Sequence, residues 1–277
     1  MSTDTDTPTR PPLTSRSRAW QVIATALTLA ALTAAGVTVW IWLRPAPHLT
    51  PSGLHTAASS HVTREAPARL VVRIDAGDLT VRPGPAGRVS EQRTLTWPSH
   101  PPVVTESFAG GTLTITSRCP AGQPAGCSAD VALTVPPGVA VHAQVASGDL
   151  TASGLRGAVS LAADHGSLRL SRLSGPLQLR SASGSIVGEA LTAAQVSARV
   201  TAGDIALAFA AVPADVSAAS DAGDVSIAVP KQPGGYRVRA ATAAGDRTVS
   251  VRQDPASADT IVATSDAGDV AVAYSRS

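Results

Sequence analysis

The chain has 277 residues, a formal net charge of +2 and only 3% aromatic residues. Nucleic-acid binding needs a concentrated basic face with aromatic side chains that stack on bases, and this composition supplies neither. We therefore predict that the protein has no nucleic-acid partner.

The N-terminal segment predicts a membrane anchor. Residues 1–18 consist mainly of Thr, Ser, Pro and Arg without apolar periodicity, which is typical of a disordered tail. Residues 19–43 carry no charge, and their length exceeds the roughly 20 residues that a helix needs to cross a bilayer. Trp20 and Trp40 lie where an interfacial aromatic belt is expected. We expect an uncleaved transmembrane helix; a cleaved signal peptide is the alternative, although its apolar region is shorter.

Basic residues predict how this anchor is oriented. Arg10, Arg16 and Arg18 precede the apolar segment, whereas only Arg44 follows it closely. The positive-inside rule therefore places the tail in the cytoplasm and the remainder of the chain outside. We expect a single-pass protein of the cell membrane, with the lipid bilayer as its partner through residues 19–43.

Composition divides the rest of the chain into a linker and one domain. Residues 44–68 contain several prolines and small polar residues, which is typical of a flexible tether. The predicted order is a cytoplasmic tail at 1–18, a transmembrane helix at 19–43, a flexible linker at 44–68 and an extracytoplasmic domain at 69–277.

Two cysteines support an outside location. Cys119 and Cys127 enclose a loop rich in Pro and Gly, between two segments that alternate as β-strands do. In an oxidising compartment a pair so close in sequence is expected to form a local disulfide. A zinc site is disfavoured because no histidine or further cysteine lies nearby, and redox catalysis because the spacing is not C-x-x-C.

A ladder of glycines dominates the domain. Glycines recur nine residues apart, and an aliphatic side chain follows each of them two positions later. These glycines are Gly148, Gly157, Gly166, Gly175 and Gly184. Alternate units carry Asp or Ser after the glycine, so two unlike units form one coil of roughly 18 residues. A single short strand cannot bury its own face, so the units are expected to stack on one another.

The Gly-Asp/Ser series extends in both directions. The predicted structural turns lie at Gly148, Gly166, Gly184, Gly203, Gly223, Gly245 and Gly268. Near copies of the tetrad Asp-Ala-Gly-Asp occur at 75–78, 221–224 and 266–269, so the same unit begins as early as residue 75. We predict an all-β fold, a parallel β-helix or β-solenoid with coils of roughly 18–23 residues, preceded by the one transmembrane helix.

The turns and the alternation predict which side chains point inward. Glycine reaches positive φ without steric cost, and an Asp or Ser side chain can accept a backbone N–H two residues on. The residues two places after the turn glycines should stack in one inward column, formed by Leu150, Leu168, Ile186, Ile205, Val225 and Val270. We also expect Ala206, Ala208, Ala228 and Ala271 to point inward. Such a core is thin and leaves little room for an internal pocket.

The aspartates raise the question of a metal. Glycine–aspartate nonads are similar to calcium β-rolls, in which several glycines and an aspartate recur in every nonad. Here Asp occurs once per coil and is replaced by serine at Ser167 and Ser185, so we favour turns that work without metal. The weak metal candidates are Asp221, Asp224, Asp266 and Asp269. We predict no metal and no cofactor.

Catalytic patterns are weaker still. Asp164, His165 and Ser167 have triad residue types, but neighbours on one strand-to-turn segment point in different directions. A polysaccharide lyase would need acids and a basic residue along one groove. The residues that could supply them are Arg169, Arg172, Arg180, Arg199, Asp164 and Asp204. We predict that the protein is not an enzyme.

The repeat resembles a known bacterial family. The segments at 146–150, 183–186 and 201–205, the strand and turn at 131–138 and the cysteine pair are similar to an actinobacterial-type, membrane-anchored family of adhesin-like domains of unknown function. The resemblance covers about residues 69–275. It implies right-handed parallel β-helices, a tether of one transmembrane helix, no established enzyme activity and, for some members, a connection with envelope-stress systems.

Two functional classes follow. The first is an adhesin-like module at the cell surface that binds an envelope protein or glycan through a flat side or an edge of the solenoid. The second is a sensory or regulatory subunit of an envelope-stress system. A polysaccharide-active β-helix enzyme is a lesser alternative.

Overall fold

The computed structural model describes residues 53–63, 65–122 and 125–275. The predicted tail at 1–18, the predicted transmembrane helix at 19–43 and residues 44–52 of the predicted linker lie outside this part of the chain. Within it, no helix is long and apolar enough to cross a membrane. Gly53–Ser277 forms one compact unit.

The described residues form β-strands throughout the unit. In chain order these are β1 (His55–Thr63), β2 (Arg69–Ala76), β3 (Leu79–Pro83), β4 (Val89–Trp97), β5 (Val103–Ala109), β6 (Thr112–Arg118), β7 (Ser128–Val135), β8 (Ala140–Ser147), β9 (Leu150–Ser153), β10 (Val159–His165), β11 (Leu168–Ser171), β12 (Leu177–Ser183), β13 (Ile186–Leu191), β14 (Gln195–Ala202), β15 (Ile205–Phe209), β16 (Asp215–Ala222), β17 (Val225–Val229), β18 (Arg237–Ala244), β19 (Arg247–Val249), β20 (Thr260–Ala267) and β21 (Val270–Tyr274).

The strands form two sheets that enclose one apolar core. One sheet has eleven strands and the other ten. Each coil supplies one strand to each sheet, and equivalent strands of neighbouring coils pair in parallel, as β10, β12, β14 and β16 do in the ten-stranded sheet. Buried aliphatic side chains from both sheets belong to a single core cluster. The predicted all-β fold of stacked parallel coils is confirmed.

The inward column predicted from the glycine ladder is also confirmed. Leu150, Leu168 and Ile186 are paired with one another in register, and each is 0% exposed. Ile205, Val225 and Val270 continue the same column in the next three coils. Each fully buried aliphatic side chain contributes roughly 1.5–3 kcal/mol relative to an exposed one, so the column is a main source of stability.

The prediction of inward alanines in this sheet was wrong. Ala206, Ala208, Ala228 and Ala271 lie on the outer face, exposed or half-buried. The buried positions between them hold Leu207, Phe209, Ile227 and Val272. Alternate side chains of a strand face opposite sides, so these alanines, one or three residues after the inward column, must face solvent.

The last coils are not stacked in chain order. β20 pairs with β16 on one side and β18 on the other, and β21 likewise lies between β17 and β19. The final coil, formed by β20 and β21, therefore lies between the coil of β16 and β17 and the coil of β18 and β19. In the coil of β18 and β19, which ends the stack, the residue paired with Val270 is Arg247, and this side chain is exposed. A charged residue at an inward position is tolerated only at the end of the stack, where one side remains open to water.

The N-terminal end departs from the predicted linker. The sequence predicts flexible chain over 44–68, but His55–Thr63 forms β1, which pairs antiparallel with β4 over its whole length. The segment is uncharged and almost entirely exposed on both faces, so it lacks the apolar alternation that identifies a strand. Backbone hydrogen bonds to β4, rather than side-chain burial, form this strand.

Both sheets finish at this end in antiparallel strands. β4 pairs antiparallel with β7, and β5 pairs antiparallel with β6. On their other sides, β6 and β7 pair in parallel with β2 and β3, respectively. We call β1, β4 and β5 the N-terminal end. Its strands β4 and β5 run opposite to the coil strands beside them, and it contains the one buried acidic side chain among the described residues, Glu91.

Candidate functional site

The Gly-Asp/Ser corners form a hydrogen-bonded ladder along one edge of the solenoid. Asp149 Oδ1 accepts the backbone N–H of Ser167 at 2.9 Å, and Asp224 Oδ1 accepts that of Asp269 at 2.7 Å. In the other bonds of the ladder, the backbone N–H of the first residue donates to a side-chain oxygen of the second. These pairs are Asp78 and Asp130, Asp149 and Asp78, Ser185 and Ser167, Asp204 and Ser185, Asp224 and Asp204, and Asp246 and Asp269. Every bond joins equivalent positions in neighbouring coils, and all of these positions except Asp130, which lies in β7, belong to Gly-Asp/Ser corners.

This ladder corrects the predicted corner chemistry. The sequence predicts that each Asp or Ser side chain accepts an N–H two residues on in its own turn, whereas the structure shows bonds to the adjacent coil. Neighbouring strands lie only about 4.8 Å apart, so a short side chain reaches the next corner. Because serine hydroxyls at Ser167 and Ser185 accept the same bond at 3.4 and 3.3 Å, the ladder continues through uncharged residues.

The turn glycines lie too close together for any side chain. Gly148, Gly166 and Gly184 have φ of 138°, 153° and 135°, values that favour glycine. A Cβ atom on Gly166 would overlap the carbonyl oxygen of Gly148, and one on Gly184 would overlap that of Gly166. The corner is therefore a structural element in which the glycine backbones of neighbouring coils pack directly on one another.

Buried or half-buried hydroxyls donate to carbonyl oxygens of the turn glycines, a feature that the sequence analysis missed. Ser220 Oγ donates to the carbonyl oxygen of Gly203 at 2.9 Å, and Ser265 Oγ donates to that of Gly223 at 2.8 Å. In the same way, Ser181 Oγ donates to the carbonyl oxygen of Gly166, and Thr242 Oγ1 donates to that of Gly268, each in a neighbouring coil. Each is a Ser or Thr three residues before a turn glycine, and that spacing is the signal that could have identified them.

The four weak metal candidates lie in adjacent coils but do different things. Asp224 and Asp269 belong to the corner ladder, where one carboxylate oxygen of each accepts a backbone N–H. Asp221 and Asp266 are exposed near the ends of β16 and β20. Within the described residues no group of three His, Cys, Asp or Glu side chains is placed to hold a metal ion.

The candidate catalytic residues are not assembled into a site. Ser167 belongs to the corner ladder, where its hydroxyl accepts the amide of Ser185, while Asp164 and His165 end strand β10. Arg169 forms an ion pair with Asp149 on the eleven-stranded sheet. Arg180 and Arg199 lie on the other sheet, and Arg172 and Asp204 in turns, so the lyase-like set has no common groove.

The predicted disulfide is confirmed. Cys119 and Cys127 are joined with their Cα atoms 6.1 Å apart, and the described residues contain no free cysteine. The bond closes the loop between β6 and β7, which connects the two sheets next to the N-terminal end. Its role in the structure is that of a local staple.

The outer face of the ten-stranded sheet presents a row of polar side chains. Arg73, Gln144, Arg180 and Arg199 are exposed and occupy one row across the parallel strands, with Ala162 between Gln144 and Arg180. We call this row and its surroundings the arginine face. The adjacent row nearer the corners carries exposed acids at Asp75, Asp164, Asp221 and Asp266.

Two arginines of this face are direct neighbours. Arg180 and Arg199 are paired in register on β12 and β14, so their backbones lie about 4.8 Å apart. Like charges on facing positions of adjacent strands destabilise a sheet. The ion pairs of the described residues are Arg93 with Glu91 and Arg169 with Asp149, so neither arginine of this pair is neutralised by a carboxylate there.

A groove of about 490 Å³ lies on the opposite sheet. It is lined by residues of β1, β4, β7 and the β3 region, among them Asp78, Arg93 and Asp130. Asp130 and Asp78 each accept a corner N–H, and Arg93 donates to Ser59 and Glu91. The charged groups of this groove are thus already engaged within the protein, whereas Arg180 and Arg199 form no ion pair with a described residue.

The N-terminal end holds a buried carboxyl group. Glu91 is 2% exposed; its Oε1 accepts a hydrogen bond from Arg93 at 3.3 Å, whereas its buried Oε2 has no hydrogen-bond partner among the described residues. Burial and then the negative charge of Glu106 raise the pKa of Glu91, while Arg93 and His61 oppose that shift. His61 lies directly opposite Glu91 in the pairing of β1 with β4.

Comparison with known proteins gives the family. The model of the Toastrack DUF4097 family matches residues 128–277, and none of the curated proteins matches the chain. Solved structures with a similar arrangement include a candidate cell adhesion protein of Clostridium sporogenes, 10% identical with a TM-score of 0.39, covering 79% of this chain and 100% of its own.

Two structures from Parabacteroides distasonis are comparable. A candidate adhesin is 13% identical with a TM-score of 0.40, and covers 81% of this chain and 98% of its own. A candidate lipid-binding protein is 11% identical with a TM-score of 0.38, with the same coverage of 81% and 98%. The family match spans more than half of the sequence and includes the regular coils from β7 onwards. The chain therefore belongs to the Toastrack DUF4097 family.

Proposed function

We propose that the protein is an adhesin-like binding module, anchored in the cell membrane and exposed outside, that holds an envelope glycan along the arginine face without catalysing a reaction. The observation that carries the proposal is the pair formed by Arg180 and Arg199, which are adjacent on the sheet and have no carboxylate partner within the described part of the chain. Acidic groups of a bound polymer would relieve their repulsion, and acidic or hydroxyl groups would accept hydrogen bonds from their guanidinium donors.

The spacing of the face favours an extended ligand. Arg73 lies three strands from Arg180, and Gln144 lies between them, so donors recur over several strand spacings of about 4.8 Å. The acidic row beside them supplies acceptors for sugar hydroxyls. A surface with donors and acceptors in parallel rows suits a long chain with repeating polar groups better than a compact small molecule.

Removing both neighbouring arginines should weaken glycan binding. Hydrogen bonds to charged groups contribute roughly 1.5–3 kcal/mol each, so Arg180→Ala with Arg199→Ala should raise the Kd for isolated envelope polysaccharide by at least about tenfold. Co-sedimentation of the full chain with the polysaccharide fraction measures this. The matched control is Arg156→Ala with Arg247→Ala, which removes the same charge from exposed positions off the face.

Two results would contradict the glycan proposal. Equal loss in the control pair would indicate nonspecific charge attraction. Unchanged polysaccharide binding in the test pair, together with loss of a protein crosslinked to the face in intact cells, would indicate an envelope protein as the ligand instead.

The anchor is part of the same proposal. Its support is the uncharged segment at 19–43, the basic residues before it and the disulfide of an oxidising compartment. Protease added to intact cells should remove the domain that begins near Gly53 and leave the tail protected. A mature N-terminus after residue 44, or complete protection of the domain, would overturn the anchor or its orientation.

A second candidate function, a sensory subunit, is favoured by the buried Glu91. A carboxyl group whose pKa is raised in the folded state binds its proton more tightly there than in the unfolded chain. The N-terminal end therefore gains stability on acidification and loses it as the pH rises. An end that loosens with pH next to the tether could pass an envelope signal to a membrane partner.

Glu91→Gln should remove this pH dependence. The stabilising contribution of the Glu91 carboxyl group is fully present below its pKa in the unfolded chain, near 4.5. It is lost as the pH rises through the raised pKa of the folded protein. We expect the difference in melting temperature between the variant and the native protein to grow in favour of the variant from about pH 4.5 to 7.5. The control Glu65→Gln, at an exposed position, should follow the native profile. Parallel profiles for the native protein and Glu91→Gln would refute the sensing role of Glu91.

A further inference from the structure

One strand edge at the N-terminal end lacks protection. β1 is the last strand of the eleven-stranded sheet, and it pairs with β4 over all nine of its residues without a bulge. Its sequence, His-Thr-Ala-Ala-Ser-Ser-His-Val-Thr, contains no proline, lysine, arginine or acidic residue. Proteins normally protect free edges with such residues, with bulges or with short strands, because the unpaired backbone groups bind further strands.

The other free edges in the described part of the chain are protected. β19, at the far end of the same sheet, has three residues. β18 carries Arg237 and Arg239, and β5 carries Glu106. β1 is therefore the long uncharged edge of the described unit.

Exposed apolar side chains are concentrated at the same end. Among the described residues, the exposed large hydrophobic side chains are Leu54, Val62, Val103, Phe108 and Val212. All except Val212 lie on β1, on β5 or immediately before β1. Clustered exposed apolar groups mark protein interaction sites.

We propose that β1 pairs antiparallel with β1 of a second copy of this chain, which joins the two eleven-stranded sheets across a two-fold axis. A second copy offers four free edges, and only its own β1 is equally long and free of charge. An antiparallel pair of identical strands is the arrangement that a two-fold axis generates, and it closes without further growth.

Full overlap of the two strands determines their register. The axis then passes through the middle residue, Ser59, and places Ala58 opposite Ser60 of the second copy. These central side chains are small, so neither copy obstructs the approach of the other's backbone. The exposed Val62 lies near one end of the shared edge and can contact apolar groups of the second copy there.

The position of the preceding chain is compatible with this pairing. The compact unit begins at Gly53, just before β1, and in the antiparallel pair the first residues of the two β1 strands lie roughly 30 Å apart. Residues 44–54 span up to about 3.5 Å each when extended, so two anchors in one membrane can reach both strands. This step rests on the anchor of the proposed function and is independent of its ligand.

Cysteine crosslinking of the full chain in membranes tests the pairing and its register. Facing residues of antiparallel strands have Cα atoms roughly 4.5–5.5 Å apart, a separation that a disulfide spans. Ser59→Cys should therefore give mostly covalent dimer on mild oxidation. Thr105→Cys, at an exposed position on β5, is the matched control and should stay monomeric. No dimer at residue 59, or equal dimer at both positions, would overturn the proposal.

Charge introduced at the edge gives a second, independent test. Ala58→Lys with Ser60→Lys places like charges opposite one another, and both positions are exposed, so the fold should survive. Light scattering in detergent should show the protein mass fall from twice 27.8 kDa to 27.8 kDa. Thr105→Lys with Ser107→Lys should leave the mass doubled. A native mass of 27.8 kDa, or a doubled mass in the β1 variant, would overturn the pairing, whereas glycan binding by either variant tests only the proposed function.

Discussion

Ile205→Asp should unfold the β-solenoid domain. Ile205 is 0% exposed in the middle of the inward column, between Ile186 and Val225. The substitution removes roughly 1.5–3 kcal/mol of apolar burial and adds a buried carboxyl group without a partner, which costs several kcal/mol more. The total is comparable with the 5–15 kcal/mol that stabilise a typical domain. Circular dichroism should show loss of the cooperative thermal transition.

The adjacent residue provides the control. Ala206 follows Ile205 on the same strand but is exposed on the outer face, so Ala206→Asp should change the melting temperature only slightly. This pair also separates the observed orientation from the inward alanines that the sequence predicted. Unfolding by Ala206→Asp, or a folded Ile205→Asp protein, would contradict the assignment of the two faces.

The regular part of the fold was predictable because its signals are local. A turn glycine with an aliphatic residue two positions later fixes both the corner and the inward face, and the inward column from Leu150 to Val270 follows from that spacing alone. The disulfide was predictable for the same reason, since Cys119 and Cys127 lie close in the sequence. In each case the residues that decide the structure are neighbours along the chain.

The ends of the solenoid were not predictable in this way. The insertion of the final coil depends on comparing Val270 with Arg247 as neighbours of Val225, a competition between segments far apart in the sequence. β1 forms through backbone pairing with β4 and buries almost nothing, so no side-chain pattern marks it. Long-range pairing decides both features.

The candidate site shows the same division. The sequence identified Arg180 and Arg199 only as scattered basic residues, because the coil length near them changes and their register cannot be read from spacing alone. Glu91 was missed altogether, since its burial results from strands that pack at the N-terminal end. In a segment with alternating polar and apolar residues, a charged side chain is predicted to be solvent-exposed unless the strands that pack against it are known.

Gly166→Ala should destabilise the stack of coils from within. Gly166 has φ of 153°, a conformation that alanine adopts only with strain, and an added Cβ would overlap the carbonyl oxygen of Gly148. Backbone strain of this kind costs roughly 1–3 kcal/mol, and separating two coils would weaken the neighbouring ladder bond from Ser167 to Asp149 as well. The midpoint of denaturant unfolding should fall clearly, with an unchanged slope if the unfolding remains two-state.

Gly138→Ala is the matched control, and its effect should have the opposite sign. Gly138 has no atom within 4 Å of an added Cβ and does not adopt positive φ. At such a position alanine restricts the unfolded chain and stabilises the protein by roughly 0.4–1 kcal/mol. Equal midpoints for the two variants would mean that the corners can widen without cost. In that case the close stacking of Gly148 on Gly166 would not be what holds neighbouring coils in register, and the parallel strand pairs together with the hydroxyl and carboxylate bonds of the corner ladder would do so instead.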